Sequence, residues 1–164
     1  MPILHLMVGL PGSGKTTKAK AIEAGTGALR LTPDEWHVRL FGNDHRHPDH
    51  DRRHGAVESL MWEVAAAVLH RGGDVILDFG FWSRAERDEA RAWADRQGAA
   101  AVVHYASVPH DELVCRVRAR RAAWEADPAG TGEFAISEAD LAGWAKLFEP
   151  PIAGEPGWDG SEGP

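Results

Sequence analysis

The feature that most constrains the fold of this chain is a glycine-rich stretch near its N-terminus. Residues 9–16 read Gly-Leu-Pro-Gly-Ser-Gly-Lys-Thr and fit the pattern G-x-x-x-x-G-K-[ST]. The glycines let the backbone curl so that its N–H groups point to one place, where they can bind an anion. The apolar run at residues 3–8 predicts a buried strand, and residues 15 to about 23 predict a helix. The sequence therefore predicts a strand, a phosphate-binding loop and a helix in that order.

The residue types within this loop predict individual roles. Lys15 offers a flexible positive charge for the outer phosphates of a nucleotide, and the Thr16 hydroxyl can ligate Mg²⁺. Thr17 follows and can reach an α-phosphate. The predicted nucleotide-binding residues are Gly9, Pro11, Gly12, Ser13, Gly14, Lys15, Thr16 and Thr17. The alternative is a glycine-rich turn without chemical importance, which the flanking strand and helix patterns disfavour.

A second candidate is Asp34, which lies just after the short predicted strand at residues 28–31. Thr32-Pro33-Asp34-Glu35 has the form of a capping box with proline at the first helical position. Asp34 should therefore lie at the start of a helix, beyond the C-terminal end of a strand, where open α/β sheets bind ligands. Its carboxylate could accept a proton in phosphoryl transfer to a hydroxyl, or it could only complement the helix dipole.

A third candidate is Asp78, which ends the apolar strand predicted at residues 74–78. An acid in this position can hold Mg²⁺ directly or through water, so the predicted metal ligands are Thr16 and Asp78. The aromatic residues that follow, including Trp82, could line an acceptor pocket or form a hydrophobic plug. Ser83 and Glu86 form another capping box, and Arg84 in its first turn opposes the helix dipole, which hints at a nearby anion.

Residues 42–55 are polar and lack periodicity, which predicts a loop. Its four histidines are His45, His47, His50 and His54. A segment that covers an acceptor and a plain solvated loop are both compatible with this composition. A zinc site is disfavoured, since no companion cysteines or finger-like spacing are present. After the loop, apolar residues recur with helical spacing from Val57 to Leu69 and predict a core helix.

The C-terminal half contains a predicted basic helix. Arg116 and Arg120 are four residues apart and share one helix face, so they could close over a transferring phosphate or simply be solvated. Prolines and glycines in residues 124–136 predict a mobile lid, and Ser137 with Asp140 caps a last helix. Prolines and glycines dominate from Glu149 onward and predict a loop or tail.

Composition narrows the class of protein. The chain has 164 residues, enough for one domain with a real core, and its net charge of −7 argues against broad binding to nucleic acid or an acidic membrane. Its single cysteine, Cys115, excludes an internal disulfide. No stretch resembles a signal peptide or a membrane span. We therefore expect a soluble cytoplasmic protein that has no contact with a membrane.

These motifs together resemble a known family, the small P-loop kinases grouped with AAA-family ATPases or ATP-binding proteins and similar to polynucleotide kinase and zeta toxin. The resemblance covers most of residues 3–151. The segments that carry it are residues 9–17, 31–36, 77–87, 116–120 and 148–151. It implies an α/β fold, a three-layer α/β/α sandwich with a parallel sheet, of the P-loop NTPase type that is nucleoside-monophosphate-kinase-like.

The resemblance also implies site roles. Asp34 would be the general base, while Lys15, Arg116 and Arg120 would stabilise the transferred phosphoryl group. Relatives often carry an arginine three residues after the base, where this chain has His37, with Arg39 close by. The predicted acceptor contacts are Asp34, Arg39, Trp82 and Arg84. Relatives also tend to have a final strand, which the sequence after Pro151 does not predict.

The resulting prediction is a kinase domain at residues 1–151, with a lid at about 116–137 and a tail at 152–164. It would use ATP and Mg²⁺ to phosphorylate a hydroxyl of a small molecule or of a nucleic-acid end. The alternative is a P-loop ATPase or nucleotide switch that acts through a protein partner and has no phosphoryl acceptor.

Overall fold

The chain folds around one parallel sheet. The computed structural model describes residues 1–44, 46–127, 134, 136–158 and 160. The strands are β1 (Ile3–Val8), β2 (Leu29–Leu31), β3 (Val75–Gly80) and β4 (Ala100–Tyr105). The helices are α1 (Lys15–Thr26), α2 (Pro33–Phe41), α3 (His50–Leu69), α4 (Arg84–Arg96), α5 (His110–Ala126) and α6 (Glu138–Ala145). Over the described residues, no helix is both long enough and apolar enough to cross a membrane.

The strand order is β2-β3-β1-β4, and every pairing is parallel. In the central strand β1, Leu6 lies opposite Leu77 of β3 on one side and Val103 of β4 on the other. Parallel neighbours need a crossover connection, and helices supply it between successive strands. The predicted α/β fold with a parallel sheet is therefore confirmed.

Helices cover both faces of this sheet, since successive side chains of a strand point to opposite faces. On one face Met7 of β1 packs with Ala19 of α1. On the other face Leu6 of β1 belongs to a larger buried cluster that includes Met61 of α3 and Ala90 of α4. The result is the predicted three-layer α/β/α sandwich.

The predicted loop at residues 42–55 is wrong in its second half, because α3 already begins at His50. The first turns of α3 have no apolar face, so periodicity could not reveal them. They are held instead by polar contacts: Asp44 accepts hydrogen bonds from His50 (2.8 Å) and Arg53 (2.7 Å). The helix thus starts on a partly buried polar cluster and reaches the apolar core only from Val57 onward.

Two of the three predicted capping boxes form. Ser83 caps α4 together with Glu86, and Ser137 caps α6 together with Asp140. At α2 the helix begins at Pro33 as predicted, but the Thr32 side chain makes no cap hydrogen bond. Its hydroxyl instead donates to Asp78 at 3.3 Å.

The segment predicted to be a lid is helical in its first part. Residues 116–126 continue α5, and Arg118 pairs with Glu138 of α6 at 2.5 Å. The rest of the predicted lid falls on residues 128–133 and 135, which lie outside the described residues.

The C-terminal segment has no helix or strand at residues 152–158 and 160, yet it is firmly anchored. The buried Glu155 carboxylate accepts hydrogen bonds from Arg87 at 2.6 and 3.1 Å and from Arg91 at 3.2 Å. The carbonyl of Gly157 accepts a hydrogen bond from the Val103 amide of edge strand β4 at 2.8 Å. These contacts bind the segment to α4 and β4.

Candidate active site

The glycine-rich loop after β1 is a tightly curled turn that leads directly into α1. Gly9, Gly12 and Gly14 all have positive φ, at 146°, 85° and 98°. A Cβ on Gly9 would lie 2.4 Å from the carbonyl oxygen of Ala106, so the loop tolerates only glycine there. Gly14 is the N-cap residue of α1. The loop therefore directs backbone N–H groups and a helix N-terminus into the same cleft, as an anion site requires.

Lys15 is folded back over the loop, where its Nζ donates a 3.0 Å hydrogen bond to the Leu10 carbonyl. Burial lowers the pKa of Lys15, and the nearby carboxylates of Asp78 and Asp34 oppose that shift. Among the described residues the Leu10 carbonyl is the one hydrogen-bond partner of this ammonium, which can exchange it for a phosphate oxygen.

Thr16 and Asp78 meet at the floor of the cleft. The Thr16 hydroxyl donates to Oδ2 of Asp78 at 2.7 Å, and the Thr32 hydroxyl donates to the same oxygen at 3.3 Å. The other carboxylate oxygen, Oδ1, is buried and has no hydrogen-bond partner among the described residues. A hydroxyl beside an unsatisfied carboxylate oxygen is a donor set that suits Mg²⁺, so these residues fit the predicted metal.

Asp34 lines the same cleft, in the first turn of α2. Its side chain is 57% exposed, and that exposure is to the cleft itself. The surrounding protein atoms raise the pKa of this carboxyl, whereas His54 and Lys15 act in the opposite direction. A carboxylate with an elevated pKa that faces the phosphate loop is suited to accept a proton from an acceptor hydroxyl.

His54 is a site residue that the sequence did not single out beyond the group of four histidines. Its Nε2 lies 3.4 Å from Oε1 of Glu58 and 3.9 Å from Oδ1 of Asp34. The hydrogen bond to Glu58 raises the pKa of His54, so the imidazole carries a positive charge over a wider pH range. The i, i+4 spacing of His54 and Glu58 was a signal, but it became interpretable only once α3 was known to include residue 54.

Two of the remaining histidines cluster with His54: the His37 ring lies 4.7 Å from the ring of His50 and 5.4 Å from that of His54. His37 is fully buried and lies 2.5 Å from Asp44, which also accepts hydrogen bonds from His50 and Arg53. These contacts hold the pKa of Asp44 far below its ordinary value, against the effect of burial. His37, Asp44 and His50 have the composition of a metal site, but their separations are hydrogen-bond distances and Arg53 supplies the positive charge. His45 lies outside the described residues.

The arginines of α5 separate into two faces. Arg116 donates hydrogen bonds to the Gly12 carbonyl at 3.1 Å and to the Glu112 carboxylate. Arg120 lines the cleft near Lys15 and Asp34. On the opposite face, Arg118 pairs with Glu138 and Arg121 with Glu125. The structure thus places Arg116 and Arg120 on one face of α5 at the phosphate loop, and their role in phosphoryl transfer stays a prediction.

The cleft has a cavity volume of about 1040 Å³ and extends beyond the phosphate loop. Aromatic rings line this extension: Trp62 contacts Trp93 with ring centroids 4.6 Å apart, and Phe79 stacks on Phe81 at 5.7 Å. Phe81 has a φ of 40°, an uncommon conformation for a residue with a bulky side chain, in the turn directly after β3. The backbone strain at this turn accompanies the placement of both phenyl rings in the cleft.

Only some of the predicted acceptor contacts line the cleft. Trp82 lines the cleft and packs on Trp144 at 5.5 Å. Arg39 and Arg84 are not among the described residues that line it. Arg39 lies on the exposed side of α2. The guanidinium of Arg84 pairs with Asp88 at 3.1 Å, which holds it on the surface of α4.

With this geometry in view, comparison with known proteins identifies the family. The chain belongs to the AAA_33 family of AAA domains, whose model matches residues 4–151. No curated protein matches the sequence.

Solved structures show the same fold at low sequence identity. A candidate kinase from Chloroflexus aurantiacus superposes with a TM-score of 0.72 at 21% identity, over 98% of this chain and 82% of that chain. A chain of the Pnkp1/Rnl/Hen1 RNA repair complex gives 0.70 at 24% identity, over 89% of this chain and 43% of that chain. A gluconokinase from Sinorhizobium meliloti gives 0.64 at 19% identity, over 98% and 81%. The predicted resemblance to small P-loop kinases is therefore confirmed.

Proposed function

We propose that this protein is a kinase that transfers the γ-phosphate of ATP to a hydroxyl group, with Mg²⁺ as cofactor. The observation that carries the proposal is that Lys15, Asp78 and Asp34 line one cleft, which extends beyond the phosphate loop into an aromatic-lined part that we call the chamber. A nucleotide site needs Lys15 for the phosphates and Asp78 for the metal ion. A carboxylate beyond it, facing added space, is what transfer to an acceptor requires.

The phosphate loop supplies binding and orientation. Backbone N–H groups of residues 12–16 and the N-terminus of α1 would hold the β- and γ-phosphates, with Thr17 beside the α-phosphate. Lys15 would leave the Leu10 carbonyl and bind the γ-phosphate oxygens. Arg116 and Arg120 would stabilise the charge that develops on the phosphoryl group during transfer.

Thr16 and Asp78 would hold Mg²⁺ through the threonine hydroxyl and the unsatisfied Oδ1. When bound there, the ion would neutralise charge on the phosphate oxygens that Lys15 also contacts. The bond from Thr32 to Oδ2 fixes the carboxylate orientation and leaves Oδ1 directed away from it.

Asp34 would orient the acceptor hydroxyl and accept its proton as the oxygen attacks phosphorus. The nearby His54 favours the ionised form of the carboxylate, which opposes the rise in its pKa. His54 therefore favours the form of Asp34 that can accept a proton, while burial increases the affinity of the carboxylate for that proton.

The experiment that tests this function is transfer of γ-labelled phosphate from ATP to a panel of acceptors: nucleosides, 5′-hydroxyl oligonucleotides, sugars and hydroxylated antibiotics. Lys15→Ala provides the blank. Label on one acceptor class, absent with Lys15→Ala, supports a kinase and names its substrate class. Slow hydrolysis of ATP that no acceptor stimulates would contradict the proposal and favour an ATPase or nucleotide switch instead.

A further inference from the structure

The chamber beyond Asp34 has a repeated pattern on its two helical walls. On α3, Glu58 lies one turn before Trp62, and on α4, Glu89 lies one turn before Trp93. All four residues line the cleft, and the two indole rings meet at an interplanar angle of 67°. We call these four residues the acceptor wall. Residues four apart share a helix face, so each tryptophan is accompanied by a carboxylate.

The charged side chains that line the cleft are mostly negative. Carboxylates outnumber lysines and arginines among the described residues that line the whole cleft. Lys15 and Arg120 belong to the phosphate loop end, close to Asp34 and to each other. Near the acceptor wall, α4 contributes Arg96 and two carboxylates, Glu86 and Glu89, to the lining of the cleft. An anionic acceptor would therefore meet repulsion in the chamber.

We infer that the acceptor is a small hydroxylated amine, such as an amino sugar or an aminocyclitol, and this inference rests on the proposed function. Tryptophan faces bind both cations and the apolar faces of sugar rings, and a carboxylate beside the ring pairs with an ammonium group. Glu58 is joined to Asp34 through the nitrogen of His54. An amine held at the wall thus places a hydroxyl of the same small molecule close to the base.

The fold alone is compatible both with a small-molecule acceptor and with a nucleic-acid end, and the charge of the chamber distinguishes these two acceptor classes. A nucleic-acid end brings further phosphates, which bind through lysine and arginine clusters. The acceptor wall offers carboxylates and indoles in their place, and the whole chain carries a net charge of −7. Electrostatics therefore favour a neutral or positively charged acceptor in this chamber.

The test compares matched acceptors in binding and in turnover. The amines are glucosamine and 2-deoxystreptamine; their N-acetyl derivatives have the same hydroxyls without the charge, and a 5′-hydroxyl oligonucleotide is the polyanion. Quenching of tryptophan fluorescence measures binding without any need for turnover. We expect amines to bind at least about tenfold more tightly than their N-acetyl forms.

Substitutions in the acceptor wall test which residues cause the preference for amines. Glu89→Gln and Glu58→Gln should each remove most of the preference for amines by raising the acceptor KM about tenfold. Glu63→Gln on α3 and Asp95→Asn on α4 are exposed controls outside the cleft lining and should change nothing. Glu89→Gln is the sharper variant, since Glu58 also contacts His54.

The results distinguish failure of the amine inference from failure of the kinase proposal. Equal binding and turnover of amines and N-acetyl forms, a preference for the oligonucleotide, or preferences that survive Glu89→Gln would each overturn the inference, while the kinase proposal stands if label is transferred. Amine-selective binding without transfer to any acceptor would support the amine site and contradict the kinase. Absence of both binding and transfer would overturn both.

Discussion

Thr16 donates a 2.7 Å hydrogen bond to Oδ2 of Asp78, which joins the first turn of α1 to β3 beneath the phosphate loop. This contact leaves Oδ1 of Asp78 as a buried oxygen without a partner among the described residues. Burial of an unsatisfied carboxylate oxygen costs free energy unless a ligand satisfies it. The relationship therefore identifies the part of the site where a cation belongs.

Asp78→Asn should raise the Mg²⁺ concentration needed for ATP turnover by at least about tenfold, because an amide oxygen ligates a hard cation more weakly than a carboxylate does. The measurement is a Mg²⁺ titration of ATP turnover. Asp74→Asn is the matched control, since Asp74 precedes the same strand and accepts the Ile3 amide at 2.8 Å, a bond that an amide oxygen preserves. An unchanged Mg²⁺ requirement in Asp78→Asn would contradict the metal assignment.

Gly9→Ala should destabilise the fold by about 3 kcal/mol, since φ is 146° there and the new Cβ would lie 2.4 Å from the Ala106 carbonyl oxygen. Gly25→Ala is the matched control. Gly25 lies within α1 with nothing within 4 Å of an added Cβ, so alanine should stabilise by about 0.5–1 kcal/mol. Urea unfolding measures both changes, and equal effects of the two substitutions would show that the loop is not as tightly packed as described.

His54→Gln should move the acidic limb of the kcat profile to higher pH. Asp34 must be ionised to act as a base, so activity rises with pH through its pKa, and the positive charge of His54 lowers that pKa. Loss of the imidazole removes this effect. The measurement is kcat against pH, with the exposed His70→Gln as control. A limb that stays in place or moves to lower pH would exclude the coupling of His54 to Asp34.

Glu155→Gln should destabilise the protein by about 3 kcal/mol because it leaves the guanidinium of Arg87, which is 1% exposed, without its counter-charge. Hydrogen bonds from Arg87 and Arg91 hold the pKa of Glu155 below its ordinary value despite burial. This stabilisation is present above the carboxyl's unfolded pKa of about 4.3 and is lost as the pH falls through the lower folded value.

Glu125→Gln is the control for Glu155→Gln. It breaks an exposed pair with Arg121 and should cost under about 1 kcal/mol. Chemical denaturation at neutral pH compares the two variants. Similar losses in both would show that the C-terminal segment contributes no more to stability than a surface ion pair does.

Local chemistry was enough to predict part of this structure. Some features depend only on residues that are close together in the sequence, so the sequence alone indicated them. These are the glycines of the phosphate loop, the helix caps at Ser83 and Ser137, and the aspartate of β3. The i, i+4 spacing of Arg116 and Arg120 likewise predicted a shared face, and both reach the phosphate loop.

Other features depend on contacts between distant segments, which local patterns do not contain. The first turn of α3 is fixed by Asp44 rather than by apolar periodicity. Thr32 looked like a helix cap, but its hydroxyl is directed to Asp78, 46 residues further along the chain. The surface position of Arg84 is set by Asp88 within its own helix, although its charge suggested an anion.

The measurement that tests the central claim most directly is single-turnover transfer of γ-phosphate by Asp34→Asn, with ATP affinity measured on the same sample. Asparagine keeps the size of the side chain but cannot accept the proton. We predict that the transfer rate falls at least about 100-fold while ATP affinity is no weaker. Transfer near the wild-type rate would contradict the account and leave Asp34 as a residue that only caps α2.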